Sequence, residues 1–128
     1  PRVEMPKVEE KEFKDDLVVE NPINIGQFDA INIKVVEIKE AYAVEGSDKL
    51  LRFIVETGTE KRQIVSGIAK HYPNFEELKG KKVMAVLNLE PVTLRGTLSQ
   101  GMLLTTTEKK KVKLVEIDSS VKIGSLIK

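Results

Sequence analysis

Six cationic side chains, Lys49, Arg52, Arg62, Lys70, Lys82 and Arg95, carry the chemistry most readily read from this sequence. Each is able to neutralise a phosphate, and each such contact steepens the salt dependence of binding by somewhat under one log unit. Taken singly, each fits a solvated face equally well. As a group they weigh more, because a strand sends alternate side chains to one surface. His71 and Tyr72 are the one adjacent pair of ring side chains, followed by Pro73. They suit either a stack on a base or a loop anchor over the mouth of a barrel, and the anchor is the expected role. With only six Phe and Tyr in the chain, a stacking platform for single strands is not expected, and folded RNA fits better. Catalysis finds less support. The chain has a single His, no Cys, no Gly-x-Ser-x-Gly elbow and no phosphate-cradling Gly-rich loop. Its Glu76-Glu77 pair falls on a short surface helix. No catalytic residue, metal site or cofactor is expected.

Composition narrows the frame around these residues. At 128 residues and 41% hydrophobic, the chain is of single-domain size with enough apolar material for one core. The absence of cysteine excludes disulfides, thiolate zinc sites and cysteine nucleophiles. No apolar run approaches the roughly 20 residues of a membrane span, and no signal-peptide pattern precedes the first strand. A soluble, unexported, cytoplasmic protein is expected. The net charge of +1 hides an asymmetry. Residues 1–22 hold four Lys/Arg against seven Asp/Glu, and residues 23–128 hold seventeen against thirteen. Between Lys49 and Arg95 the balance is nine against five. The part expected to fold is therefore mildly basic, which is compatible with a phosphate-facing surface but short of a strongly basic footprint.

The elements that must position these groups follow from periodicity. Residues 1–22 are Glu- and Lys-rich with no sustained apolar period, and read as a flexible charged tail or linker. Ile23, Ile25 and Phe28 form a short lead-in, one helical turn or an extended stretch, expected to plug a barrel end. From Ile31 the apolar positions run 31, 33, 35 and then 36, 38, the phase change of a bulged strand. Gly46-Ser47-Asp48 is a turn, Leu51, Phe53 and Val55 share one face of a second strand, and Gly58-Thr59 closes a hairpin into a third over Lys61 to Ser66. Asn74, with Glu77 three residues on, predicts a capping box on a short helix ended by Gly80. Lys82 to Leu89 is a buried strand. Thr93 to Thr106 is strand material interrupted at Gly96 and Gly101, where barrel bends are expected. Lys109 to Lys111 forms a hairpin tip before a last strand over Val112 to Ile117. This order predicts an all-β, five-stranded Greek-key barrel of OB type over 23–128, with a short helix between strands three and four and additional C-terminal strands. Periodicity alone also permits another small barrel, and the fold by itself assigns no function.

Several segments, in order, resemble the tRNA-binding domain shared by methionyl-tRNA synthetase C-terminal domains, free-standing tRNA-binding proteins and EMAP-type cytokine precursors. They are Glu45-Gly46-Ser47-Asp48-Lys49-Leu50-Leu51, Ile64-Val65-Ser66-Gly67-Ile68-Ala69-Lys70-His71-Tyr72, Leu78-Lys79-Gly80-Lys81-Lys82-Val83, Asn88-Leu89-Glu90-Pro91, Leu94-Arg95-Gly96 and Ser99-Gln100-Gly101-Met102-Leu103-Leu104. The resemblance covers roughly residues 23–128. Asn32 and Lys34 depart from it, standing where the family usually has Asp and Arg. It implies an OB barrel that recognises tRNA by shape, commonly as a homodimer through its C-terminal strands. Such a module serves as the beta subunit or C-terminal domain of a methionyl-tRNA synthetase, beside the catalytic part. It also implies tRNA contact by Asn88, Ser99 and Met102. Their chemistry suits that role: an amide that donates and accepts, a hydroxyl for phosphate or ribose, and a polarizable thioether for a base. Core packing is the other reading of Met102. Two further functions share this barrel: a CsaA-like dimeric chaperone for unfolded or exported polypeptides, and an EMAP-type signalling fragment. The chaperone usually carries Ser-Glu-Val-Leu where this chain has Ser99-Gln100-Gly101-Met102, which favours the RNA reading.

Overall fold

Strands with one apolar face are stable only when that face is covered, and the computed structural model shows what covers it. The structure describes residue 13 and residues 16–128. Most of the tail expected over 1–22 lies outside the described residues.

The lead-in folds as α1 (Ile25–Asp29), with a reciprocal cap in which Asn24 and Gln27 each accept the other's backbone N–H. None of its residues is buried, and Ile25 is 75% exposed. The expected plug is therefore not formed by this turn. The strands follow as β1 (Ile33–Ala43), β2 (Leu51–Glu56), β3 (Lys61–Ser66), β4 (Lys82–Val86), β5 (Val92–Leu94), β6 (Thr97–Ser99), β7 (Met102–Leu103), β8 (Thr105–Glu108), β9 (Lys111–Leu114) and β10 (Glu116–Ile117). The main sheet has the order β10-β4-β1-β2-β3, and β7 also pairs with β4. β5-β6 and β8-β9 are separate two-stranded ribbons.

The inner face gathers Val36, Ile38, Leu51, Phe53, Val55, Ile64, Val83, Ala85 and Leu103 into one core. β2 alternates buried and half-buried residues along its whole length, as its sequence requires. In β1 the register against β2 shifts between Ile38 and Glu40, so the extra residue is Lys39, later than the phase change at 35 and 36 suggests. Val35 and Val36 point to opposite faces, yet both are buried. β4 pairs along this half of β1, and residues 124–127 hydrogen-bond along it as well. This C-terminal segment passes so close to the β2-β3 turn that a Cβ on Gly124, at φ +89, would stand 3.1 Å from the Thr57 carbonyl.

Between β3 and β4 the chain makes 3-10 turns over Ala69–His71 and Phe75–Leu78 instead of an α-helix. The Asn74 side chain makes no cap hydrogen bond. Its backbone, at φ −103 and ψ 55, lies outside the extended region typical of an N-cap. Leu78 is nonetheless 2% exposed and packs in the core, so the short element does plug the barrel. Gly80, at φ +90, ends it and donates to the Ile38 carbonyl across the bulge.

The fold is thus OB-like, with one departure from a closed barrel. Among the described residues no strand ladder joins β3 to β7. The seam is made by residues 98–101. Gln100 donates its backbone N–H to the Gln63 carbonyl, and Gln63 donates its own to Gln100 Oε1. Gln63 Nε2 donates to the Leu98 carbonyl, and the Val65 N–H to Ser99 Oγ. Gly101 is required here for space, since a Cβ would sit 3.0 Å from the Val86 carbonyl and 3.1 Å from Ile64 Cδ1. Gly101→Ala is expected to lower stability by about 1–3 kcal/mol through overpacking. The check is the urea midpoint at unchanged m-value; a wild-type midpoint would show that the seam is slack.

Candidate nucleic-acid interface

The residues singled out in the sequence separate into scaffold and surface. Ser99 belongs to the scaffold. It is 2% exposed, accepts from Val65 N–H at 2.9 Å and donates to the Gly101 carbonyl at 3.2 Å. Its hydroxyl is sealed in the barrel wall, so the direct contact expected of it is not available; Ser99 positions the seam. Met102, one strand residue beyond Gly101, is what the seam presents to solvent, 46% exposed and paired with Val86. Asn88 is exposed just past β4, but its amide is engaged. It donates to the Ala30 carbonyl at 2.6 Å and accepts from Asn32 N–H at 2.8 Å, latching the α1-β1 connection to the β4 exit. One amide hydrogen and one oxygen lone pair remain for a ligand.

The six cations divide likewise. Arg62 is held by Glu60 Oε2 and by the carbonyls of Leu87 and Gln100. Lys82 donates to the carbonyls of Ser119 and Val121. These two stitch loops together, with the Arg62 Nη2 donors and one Lys82 N–H left outside those bonds. The turn that Lys82 grips also carries Asp118. Its carboxyl lies below the usual carboxylate range, chiefly because the Ser120 hydroxyl and then the Ser120 amide donate to it. Lys49, Lys70 and Arg95 face solvent, and Arg52 is half-buried. Arg52 lies 4.3 Å over the Tyr42 ring, with Nη1 on Gln63 Oε1, a stacked guanidinium held ready at a sheet surface. The Lys49 carbonyl accepts from Ala69 N–H, which seats the β1-β2 loop against the 3-10 turn carrying Lys70. Lys70 meets Asp48 at 3.8 Å with both side chains exposed, a pair too well screened to withhold the cation. Arg95 and Gly96, at φ 51 and 75, form the two-residue tip of β5-β6. That is the turn geometry whose twist matches the strands. The hairpin tip expected at Lys109 to Lys111 is formed by Lys109 and Lys110, with Lys111 already paired to Glu108 as the first residue of β9.

Among the described residues these groups fall in two regions. Arg62, Asn88, Ser99 and Met102 are neighbours around the β4 exit, linked by the Arg62 bonds to 87 and 100 and the Val86-Met102 pair. Lys49 and the Lys70 turn meet where β2 begins, while Arg52 is tied through Gln63 to the seam at residues 98–100. Lys82 and Arg95 stand apart from both. Gln63 and Tyr42 are not singled out in the sequence, because a side chain that bonds a distant backbone or stacks across strands leaves no local pattern. Among the described residues no helix is long and apolar enough to cross a membrane.

A profile of the family described as "Putative tRNA binding domain" matches residues 33–126. The methionine–tRNA ligase 1 of Bacillus anthracis is 48% identical over 123 residues, 96% of this chain and 18% of that protein. The chain thus spans about a fifth of that relative's length. Among solved structures, the MetRS related protein from Pyrococcus horikoshii has a TM-score of 0.79 at 38% identity, covering 84% of this chain and 98% of that one. The chaperone CsaA of Bacillus anthracis has a TM-score of 0.75 at 23% identity, covering 84% and 99%, a likeness of fold alone.

Scaffold and surface roles separate under substitution. Ser99→Ala leaves the buried Val65 N–H without a partner and is expected to cost about 1–3 kcal/mol. Met102→Ala, at a half-exposed side chain, is expected to stay within about 0.5 kcal/mol of wild type. Urea unfolding of both variants checks this; a neutral Ser99→Ala would return the hydroxyl to the surface groups.

Proposed function

The chain belongs to the tRNA-binding domain family, and from that membership we propose that it is a structure-specific tRNA-binding module serving a methionyl-tRNA synthetase. In this reading it is the C-terminal domain or a beta subunit of such a synthetase, raises affinity for tRNA in the cytoplasm and makes no bonds itself. The observation that carries it is the family match over 33–126, the stretch that builds every strand of the sheet. The exposed chemistry agrees. Lys49, Lys70 and Arg95 are open to solvent, and Arg52 is stacked in a half-buried position, so phosphates meet cations spread over a rigid surface. Met102 offers an apolar contact beside Asn88. We propose tRNA contact at these six and assign Arg62, Lys82 and Ser99 to holding the surface in shape.

We also propose a homodimer through the C-terminal strands. Among the described residues β8 pairs only with β9, which leaves β8 an outer edge with no strand on it, and unpaired edges are templates for a second copy. The catalytic part of a synthetase is the second proposed partner.

In filter binding, a folded tRNA is expected to bind more tightly than an unstructured RNA of equal length. Four cations in contact predict a slope of log K against log salt of roughly −3 to −4. Equal affinity for the unstructured RNA would defeat the proposal. Suppression of polypeptide aggregation without any tRNA shift would replace it with the CsaA-like chaperone reading.

A further inference from the structure

Two features singled out in the sequence remain without a role: the His71-Tyr72 pair, and the lysines leading into the last hairpin strand. They are separated by about 40 residues and touch in the fold. The Leu114 N–H donates to Tyr72 Oη at 2.8 Å, which ties the 3-10 turn of Ala69–His71 to β9. Tyr72 thus fulfils the anchoring role expected of it. The consequence is a pocket of about 260 Å³ lined by His71, Tyr72, Lys111, Val112 and Lys113.

We propose that this pocket seats one unpaired nucleotide of the bound RNA, its base against the His71 and Tyr72 rings and its phosphate between Lys111 and Lys113. The inference rests on the tRNA-binding reading and adds a subsite to it. Three observations carry it. The rings and Val112 supply an apolar wall, while His71 stays exposed and Tyr72 is fixed by its hydrogen bond. The pocket lies along the β9 edge at which Leu114 N–H meets Tyr72, so Lys111 and Lys113 line it together with Val112 although strand periodicity sends them to the opposite face. Among the described residues neither lysine enters an ion pair, although Glu108 faces Lys111 across the ladder. The pocket lies below the roughly 300 Å³ at which drug-sized sites begin, the scale of a single ring and its phosphate. Base-on-ring contact tolerates any sequence, so the subsite suits a protein that reads shape. It also borders Lys70 and, through the Ala69-Lys49 bond, the β1-β2 loop, so the positive surface continues to its rim.

The test uses the full chain with folded tRNA. His71→Ala is expected to weaken binding about tenfold, within the range for a lost base-ring contact, without altering the salt slope. The double variant Lys111→Ala with Lys113→Ala is expected to make the slope shallower by roughly 0.7–0.9, the loss of one phosphate contact. Titration of adenosine monophosphate is expected to move the His71 and Val112 resonances, and inorganic phosphate alone to leave His71 in place. Wild-type affinity and slope in both variants, with Met102→Ala still weakening binding, would overturn the subsite and leave the tRNA reading standing. If wild-type protein bound no tRNA, the broader reading would fail. The nucleotide titration would then decide the pocket by itself, and unmoved resonances would overturn it.

Discussion

The structure depends on how residues 98–101 are fastened to β3. Sheets of this size have edges, and an edge is stable only if its backbone groups find partners. Here the partners are not a regular ladder. Gln63 and Gln100 exchange backbone and side-chain hydrogen bonds, Ser99 accepts from Val65, and Gly101 allows the chain to lie against Val86. The seam fixes the register of residues 98–101 against β3, because a slip would break these contacts together. It therefore fixes where Met102 emerges.

The division between scaffold and surface follows from the same need for polar partners. The ends of strands and loops leave carbonyls that require donors, and the chain meets that need with cations. Arg62 serves 87 and 100, and Lys82 serves 119 and 121. The basic residues are thus not all in equivalent settings: two are bound to carbonyls of distant loops, and Lys49, Lys70 and Arg95 face solvent.

Much of the fold is legible in the sequence because burial imposes period two. Leu51, Phe53 and Val55 declare β2, and the glycines at 46, 58, 96 and 101 fall where the chain turns or must approach another strand. The short helix is misleading because Asn74 and Glu77 have the spacing of a cap, while the tight path to Gly80 leaves room only for 3-10 turns. The site is less legible. Residue type shows that Arg62 is a cation, but the carbonyls that capture it lie 25 and 38 residues away and have no side-chain signature. Ser99 misleads for a related reason: a small polar residue is equally at home on a surface or closing a hydrogen bond inside a wall.

Arg95 shows what such a surface demands of the chain. A residue with a long side chain at φ 51 sits in a region that costs about 1–2 kcal/mol relative to glycine. Asparagine or glycine would close the same hairpin with less strain. A programme that optimised turns for heat resistance would change this position, and in doing so would strip an exposed guanidinium from the β5-β6 tip. Robustness and charge here compete for a single residue.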